Sequence, residues 1–498
     1  MSRSTASLIP ALFMLIVPAV PSAKAVEPAS AEARLAPLLA RYEDQQRRLM
    51  ELERAARAGD DVEQERTRSL RTQIREILAD AEFREALLPP SLTSGYNNGF
   101  YLRSTDDAFL FRFNGFLQFR YLHVGTRQEN RYVDPRLRRS DRSGFDITRL
   151  RFTFSGHAFA KDLTYSFTIR TDGAQQNDAG LHMGWIQYSF DDALAVRLGR
   201  FRLASLRQQV TSDSRLQFAD RGLVDAVFGL GFGTGVSFLG KLADGRLRWT
   251  VDVVNSADGP NNRVITNDPA ELDGNPAILA RAVWRVLGDD AEMGSYEGDD
   301  RFHEDPGLEI GSHYAFNQDD GDRRTARIPF HRSGLFPFFR AGGFGLAPMS
   351  GTRFHQVGLD AVFKWQGFSL QGEYVARFLD IRAAWDNPAA PLWRLTGEES
   401  TTAMHGAYVQ AGCFLPIPGH EKNLEAIARV GGVRTNVGGG EGAWEYAAGF
   451  NYHFHGQKAK LVTDVTKITE APISSPTAGM PNVNDDVLMW RVQYQVNF

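Results

Sequence analysis

The chain has 498 residues, of which 43% are hydrophobic and 23% charged, and its formal net charge is −4. This balance excludes the broadly basic surface of a nucleic-acid-binding protein, and a single cysteine, Cys413, excludes an intramolecular disulfide. Beyond the N-terminal residues no run of about 18 apolar residues occurs, so the sequence predicts no transmembrane helix. Of the 56 basic residues only eight are lysine, so the cationic side chains are overwhelmingly arginine.

The N-terminus has the pattern of a secretory signal peptide. Arg3 precedes an apolar run over residues 8–20, and small residues surround a cleavage point after Ala25. A basic start, a short apolar region and small residues at the cleavage site are typical of exported proteins. We therefore expect residues 1–25 to be removed and the mature chain to leave the cytoplasm.

Residues 26–90 are predicted to form a helical periplasmic segment. Mostly apolar residues recur there at alternating spacings of four and three, as in Leu38, Tyr42, Gln45, Leu49 and Leu52, which is typical of a coiled-coil seam. An amphipathic helix pair packing on itself and self-association between chains both fit the pattern. The prolines at 89–90 end the helix, and residues 91–107 are interpreted as a linker.

From residue 108 to 498 the hydrophobic period changes to two, the period of a β-strand with one apolar and one polar face. In the last strand, apolar Tyr494, Val496 and Phe498 alternate with polar residues, and the chain ends on an aromatic side chain. About sixteen such segments occur. With the export signal, they predict an all-β fold, a transmembrane antiparallel β-barrel of about 16 strands in the bacterial outer membrane. Tyr494, Val496 and Phe498 are interpreted as its assembly signal.

The connections between these segments alternate in length. Short turns near residues 160–162, 191–192, 242–245, 366–367 and 455–457 alternate with long stretches such as 125–144, 203–230 and 317–352. Barrels of the outer membrane have short periplasmic turns and long outer loops. The acidic stretch 288–306 falls where a short turn is expected, so either that turn is enlarged or the strand count is wrong by one pair.

Arginines on the polar faces of the early strands are candidate pore residues. A row of guanidinium groups in a lumen concentrates anions and lowers their entry barrier. Pairing of these arginines with acids across the pore, giving a transverse field without net preference, is the alternative. The predicted strand residues are Arg112, Arg120, Arg149, Arg151, Arg170 and Arg197.

The segment 203–230 is the candidate constriction loop. It combines charged side chains with enough apolar residues to pack inside a barrel, whereas a surface loop would need fewer apolar residues. Its candidate pore residues are the basic Arg207, Arg215 and Arg221 and the acidic Asp213, Asp220 and Asp225.

Several motifs resemble the phosphate-selective porin O and P family. They are the strand 196–202 (VRLGRFR), residues Thr211, Ser212, Phe218 and Arg221, and the glycine-rich strand 231–240 (GFGTGVSFLG). The resemblance implies a trimer of sixteen-stranded barrels that passes phosphate or polyphosphate. The sequence departs from the family pattern after Arg202, where LASL replaces a Pro-Phe-Gly stretch, and it has too few lysines for the family's lysine cluster.

Other constellations point to no further chemistry. His453 and His455 share one wall near a turn, as lumen residues would, and the aspartate-rich stretches lack the spacing of a calcium-binding loop. We therefore predict no metal, no cofactor and no enzymatic activity. A barrel enzyme such as a phospholipase would need a Ser/His pair that the sequence does not reveal.

The function predicted from the sequence is a passive outer-membrane diffusion channel for small hydrophilic solutes, favouring anions such as phosphate. The alternative is a structural outer-membrane anchor or spacer that acts through the helical periplasmic segment. Expected partners are outer-membrane lipid, small anionic solutes, two further copies in a homotrimer and the barrel-assembly machinery, with no nucleic acid.

Overall fold

The computed structural model describes residues 39–50, 72, 92–126, 141–171, 180–255, 275–319, 349–383, 399–434, 442–472, 480 and 485–498. The chain divides into two units, Met1–Pro90 and Ser91–Phe498. In the first unit, residues 39–50 are α-helical and exposed. The signal-peptide prediction and most of the coiled-coil prediction lie outside the described residues. No helix in the described part of the chain is long and apolar enough to cross a membrane.

In the described residues, the second unit consists mainly of antiparallel strands, with two short α-helices in one connection. The helices are α1 (Arg207–Val210) and α2 (Leu223–Phe228). The strands are β1 (Thr93–Tyr96), β2 (Phe100–Arg103), β3 (Leu110–Thr126), β4 (Asp141–Ala158), β5 (Ala160–Arg170), β6 (Gly180–Ser189), β7 (Ala195–Arg202), β8 (Phe232–Leu242), β9 (Leu247–Val254), β10 (Ala277–Leu287), β11 (Gly307–Asp319), β12 (Met349–Trp365), β13 (Phe368–Ala383), β14 (Glu399–Phe414), β15 (Leu424–Arg434), β16 (Ala443–His453), β17 (Ala459–Thr469) and β18 (Val487–Asn497).

Strands β3 to β18 form a closed barrel. Each strand pairs with the next along the chain, and β18 pairs back onto β3 from Val487↔Thr126 to Asn497↔Phe116. Beyond β18, the Phe498 backbone exchanges hydrogen bonds of 2.9 and 2.8 Å with Gly115. The closed ring from β3 to β18 has sixteen strands, so the prediction of a sixteen-stranded antiparallel barrel is confirmed. The two other described strands, β1 and β2, lie outside this ring.

Those two strands, β1 and β2, form a hairpin where the sequence predicted only a linker. Strand β2 pairs with the first residues of β3, from Phe100↔Phe113 to Arg103↔Leu110, just beyond the part of β3 that pairs with β18. The start of β3 therefore has an open edge, and the hairpin satisfies its backbone hydrogen-bonding groups. The predicted linker 91–107 thus contributes regular structure next to the barrel.

The two faces of the strands differ as the alternation predicted. In β18, Trp490 and Tyr494 are 46% and 42% exposed on the outer face. Arg491 and Gln493 lie between them in sequence, point inward and are 2% and 1% exposed. A polar interior and an apolar outer band are the arrangement of barrels that span membranes. The interior polar residues are buried because two chain segments fill much of the lumen.

One end of the barrel has short connections and the other has long ones. Short turns join β4 to β5, β6 to β7, β8 to β9, β12 to β13 and β16 to β17 at what we call the short-turn end. The connection between β10 and β11, residues 288–306, lies at this end although it is long. Of the two explanations that the sequence allowed for residues 288–306, the enlarged turn is therefore correct. The predicted number of strands was right.

Candidate functional site in the barrel lumen

Residues 203–231, which connect β7 to β8 and which we call the lumen loop, fold into the barrel. Leu203, Leu206, Val224 and Phe228 are at most 1% exposed and belong to one apolar cluster with inward-facing residues of the strands. Burying several large apolar side chains stabilises the folded loop by roughly 1.5–3 kcal/mol each. The segment predicted as the constriction loop therefore does pack inside the barrel.

Asp213 of the lumen loop is surrounded by arginines. Its carboxylate lies 2.5 Å from Arg221 Nη1 and 3.7 Å from both Arg149 Nε and Arg202 Nη2, and it contacts Arg151 as well. Asp213 is 3% exposed, so solvent screens its interactions with these arginines only weakly. Arg149 and Arg151 come from β4, and they tie the loop to that strand.

Asp220 forms a second ionic centre a few residues further along the loop. Its carboxylate lies 2.6 Å from Arg120, 2.8 Å from Arg149 and 3.5 Å from Arg491. Arg149 bridges the two aspartates. Arg491 also pairs with Asp464 of β17. These centres attach the loop to β3, β4 and β18, so the predicted early-strand arginines serve here as loop anchors.

The two aspartates are expected to keep their charge in mildly acidic solution. Burial raises the pKa of Asp213, but Arg151, Arg221 and Arg149 together outweigh burial and hold that pKa well below its usual value of 3.8. Burial likewise raises the pKa of Asp220, and Arg120, Arg149 and Arg491 reverse the effect, so this pKa is also lowered. A depressed folded-state pKa contributes stability above the unfolded value that is lost only as pH falls through the folded value.

We therefore expect channel currents to depend little on these acids between pH 7 and about pH 4, because the pKa of both acids in the folded protein lies below that range. Single-channel recordings at successive pH values in a planar bilayer check this. A midpoint for a change in conductance near pH 6 that disappears in the Asp213→Asn or Asp220→Asn variant would contradict the assignment.

Further contacts hold the lumen loop from the opposite walls. Arg377 of β13 donates a 2.9 Å hydrogen bond to Phe228 O, and Lys460 of β17 donates one of 2.6 Å to Leu216 O. A carboxylate of β16 accepts the 2.8 Å hydrogen bond of Leu223 N–H. Sequence reasoning missed these anchors, although alternation puts them on the polar face. They are Arg202, Asp252, Arg281, Arg377, Glu445, Lys460 and Arg491.

The enlarged turn 288–306, which we call the lumen turn, also enters the barrel. Tyr296, Glu297 and Asp299 are at most 3% exposed. Near its base, burial raises the pKa of Asp290, but hydrogen bonds from the Glu292 backbone and from the His303 and Tyr296 side chains lower it to about 2. From the short-turn end, the lumen turn extends into the barrel and reaches the lumen loop.

A cavity of about 710 Å³ lies between these two segments and the wall formed by β6 to β11. Seven basic and five acidic side chains line it. Among the described residues, Arg197, Arg207 and Arg215 have no carboxylate within ion-pair distance: Arg197 bonds to Gln187, Arg207 to Gln371 and Arg215 to Ser295. The basic lining residues are Arg197, Arg202, Arg207, Arg215, Lys241, Arg248 and Arg281, and the acidic ones are Asp191, Asp192, Asp252, Glu292 and Glu309.

The structure thus divides the predicted arginines into separate groups. Arg120, Arg149, Arg151 and Arg221 pair with the predicted loop acids, and Asp225 approaches Arg221 to 4.0 Å. Arg197, Arg207 and Arg215 line the cavity. Arg112 lies in β3 opposite Ser155, Arg170 lies in β5 opposite Arg151, and neither lines the cavity. Of the arginines predicted for the pore, some therefore pair with acids, as the alternative interpretation of the sequence allowed, and others line the cavity.

The described residues contain no group of three or more histidine, cysteine, aspartate or glutamate side chains arranged to hold a metal ion. His453, one of the two histidines considered for a metal, lies in the wall with its Nε2 3.3 Å from Glu425.

The chain is similar, at low sequence identity, to solved structures of outer-membrane proteins. A loop-deletion mutant of OmpT from Vibrio cholerae is 9% identical with a TM-score of 0.47, covering 78% of this chain and all of that one. The outer-membrane channel DcaP of Acinetobacter baumannii is 10% identical with a TM-score of 0.45, covering 80% and 99%. A mutant porin of Rh. blastica is 11% identical with a TM-score of 0.39, covering 77% and 99%.

No curated protein matches the chain. A family model does match, and it is described as phosphate-selective porin O and P. It spans residues 129–275, which include the motifs at 196–202 and 231–240 and the whole lumen loop. This match and the closed barrel together support an outer-membrane channel. Over residues 129–275 the match confirms the resemblance of this chain to the phosphate-selective porin O and P family.

Proposed function

We propose that the protein is a passive outer-membrane diffusion channel for small hydrophilic solutes that favours anions such as phosphate. The observation that carries the proposal is the cavity inside a closed barrel with three arginines that no described carboxylate pairs with. Solutes would move down their gradients between the lumen loop and the β6–β11 wall. In this scheme the short-turn end faces the periplasm, as in bacterial barrels, and the protein acts as a channel rather than as an enzyme.

The anion preference follows from how the arginines are partnered. Arg120, Arg149 and Arg151 face aspartates of the lumen loop, so part of their charge is neutralised locally. Arg197 and Arg215 bond only to neutral groups and leave a net positive potential on the cavity wall. Rings or patches of basic side chains favour anions in pores. Arginine also keeps its charge at every accessible pH and binds phosphate in a bidentate manner.

Phosphate preference and a trimeric assembly are the finer parts of the proposal, and the family resemblance supports both. The trimer would use the outer face of the barrel, where many apolar side chains are exposed. Nothing in the described residues favours the alternative of a structural anchor. A channel needs a cavity inside the barrel, whereas an anchor does not.

Replacing Arg197 and Arg215 together with glutamine is expected to lower the anion-to-cation permeability ratio severalfold while the barrel still folds. The hydrogen-bond partners of the two arginines, Gln187 and Ser295, are neutral, so the variant breaks no ion pair at hydrogen-bonding distance. Reversal potentials across a salt gradient in a planar bilayer measure the ratio. The wild-type preference should weaken with salt, since the Debye length falls from about 10 Å at 0.1 M to about 3 Å at 1 M.

The matched control is Arg246→Gln with Lys161→Gln, which removes the same charge from side chains that are 47% and 73% exposed. A cation-selective wild type, or an equal effect of both double variants, would overturn the proposed anion site. Block of chloride current by low concentrations of phosphate would support the narrower phosphate preference, and absence of block would restrict the proposal to small anions in general.

A further inference from the structure

The lumen turn and the lumen loop are joined by a short backbone bridge. Gln217 N–H donates a 2.7 Å hydrogen bond to the Glu297 carboxylate, and Glu297 N–H donates one of 3.2 Å to Arg215 O. The Arg215 side chain completes the bridge by donating a 2.5 Å hydrogen bond to Ser295 Oγ. Residues 215–217 and 295–297 are therefore held side by side at the edge of the cavity.

Glu297 is the centre of this bridge. It is 1% exposed, and besides Gln217 N–H it accepts hydrogen bonds from three glutamine side chains. The distances are 3.3 Å from Gln208 of the loop, 3.0 Å from Gln371 of β13 and 2.9 Å from Gln410 of β14. One carboxylate thus connects the turn, the loop and two wall strands. A buried acceptor with four donors is costly to remove, because each donor loses its partner.

Glycines allow both segments to approach the wall this closely. A Cβ atom at Gly412 of β14 would lie 1.9 Å from Gln217 Nε2, and one at Gly294 of the lumen turn would lie 1.9 Å from a Glu309 carboxylate oxygen. A larger residue at either position would require the end of the Gln217 or Glu309 side chain to move. The wall is therefore shaped to receive both segments in the positions that the bridge defines.

The lumen turn is itself fixed to the wall on its other side. Lys364 of β12 donates a 2.7 Å hydrogen bond to Tyr296 O, and Gly367 N–H donates one of 2.7 Å to the Asp299 carboxylate. His303 lies between that carboxylate and Asp290, at 3.0 Å from the latter. The turn is thus a rigid support for the loop residues that it contacts.

We infer that Glu297 is a positioning residue for anion selection, and that the lumen turn holds Arg215 on the cavity wall through it. This inference rests on the proposed function, since it assigns the placement of Arg215, one of the three cavity arginines that no described carboxylate pairs with, to a segment that enters from the short-turn end. The turn therefore sets both the width of the pathway and its charge preference.

The direction in which anion preference changes distinguishes a positioning role of Glu297 from a direct electrostatic role. Removing a carboxylate near a pore makes the pathway more positive and by itself would raise anion preference. If Glu297 acts by holding Arg215, its loss lets the loop move, which widens the pathway and takes a guanidinium off its wall. Anion preference then falls while conductance rises.

The decisive experiment compares Glu297→Ala with Glu297→Gln by single-channel recording. We expect Glu297→Ala to raise conductance and to lower the anion-to-cation permeability ratio by about twofold, the effect of withdrawing one basic group from a charged pore wall. Glu297→Gln should keep conductance close to wild type, because its carbonyl oxygen still accepts the Gln217 N–H bond and neighbouring glutamine amides can reorient. Its anion preference should be unchanged or raised, because the negative charge is lost while Arg215 stays in place. The matched control is Glu304→Ala, which removes an exposed charge from the same turn.

An unchanged or increased anion preference in Glu297→Ala, or a Glu297→Gln variant as altered as Glu297→Ala, would overturn the inference. If Glu297→Ala does not yield heat-modifiable protein, Ser295→Ala decides, since it removes only the Arg215 side-chain bond and should shift the ratio in the same direction by less. A wild type that conducts without anion preference refutes the proposed anion selectivity instead, and a conductance rise in Glu297→Ala would then still establish the bridge as a determinant of pore width.

Discussion

Removing Phe498 is expected to abolish assembly of the closed barrel. The Phe498 backbone forms the last pair of hydrogen bonds between the two ends of the barrel, with Gly115. Its ring occupies the space beside that glycine, where a Cβ atom would lie 2.2 Å from the ring. Without these contacts the pairing of β3 with β18 loses its last residue pair and leaves backbone groups at the strand ends unpaired. An open sheet edge is not tolerated in a membrane.

A second way to break the same seam is to place aspartate at Tyr494 and Val496, on the outer face of β18. Charge on a lipid-facing position costs roughly 1–3 kcal/mol per site, depending on depth. Outer-membrane levels and the change in gel mobility on boiling measure folded protein. Tyr494→Phe is the matched control and should behave as wild type, and normal levels of either damaged variant would contradict assignment of this strand as the closing strand.

The double substitution Asp213→Asn with Asp220→Asn is expected to release the lumen loop from the β3–β4 wall and to raise conductance severalfold. Arg120, Arg149 and Arg151 would then face neutral partners at close range. Breaking a buried ion pair by removing one partner costs about 3–5 kcal/mol, because the remaining charge stays buried without compensation. The repelling arginines should push the loop out of the lumen, while the barrel strands remain paired.

Single-channel conductance and the exclusion limit for neutral polymers report the opening, and heat modifiability reports that the barrel is intact. The control is Asp289→Asn with Asp305→Asn, which removes two exposed carboxylates from the short-turn end. An unchanged conductance in the Asp213/Asp220 variant would mean that the apolar cluster around Phe228 and the anchors from β13, β16 and β17 hold the loop without the ionic centres.

The sequence by itself determined the barrel and the location of its inserted loop. Strict alternation in segments such as 487–498 specifies strands with one apolar and one polar face, since a shift of one residue would turn every side chain to the wrong side. Apolar residues within 203–230 identified a loop able to pack inside the barrel, because an exposed loop would need fewer of them. The parity of short and long connections also identified residues 288–306 as either an enlarged turn or an error of one strand pair, and the structure selected the enlarged turn.

Only the tertiary structure decided which charges meet. Alternation shows that Arg120, Arg197 and Arg491 all point inward, but it contains no information on which of them faces an aspartate of the lumen loop. Those pairings depend on where a loop with little regular structure crosses the barrel, and that path is set by contacts with strands up to 281 residues away along the chain, as in the bond from Gln495 to Ser214 O. The same holds for Glu297, whose partners come from three distant segments. Long-range packing therefore separates the arginines that anchor the loop from those that line the cavity.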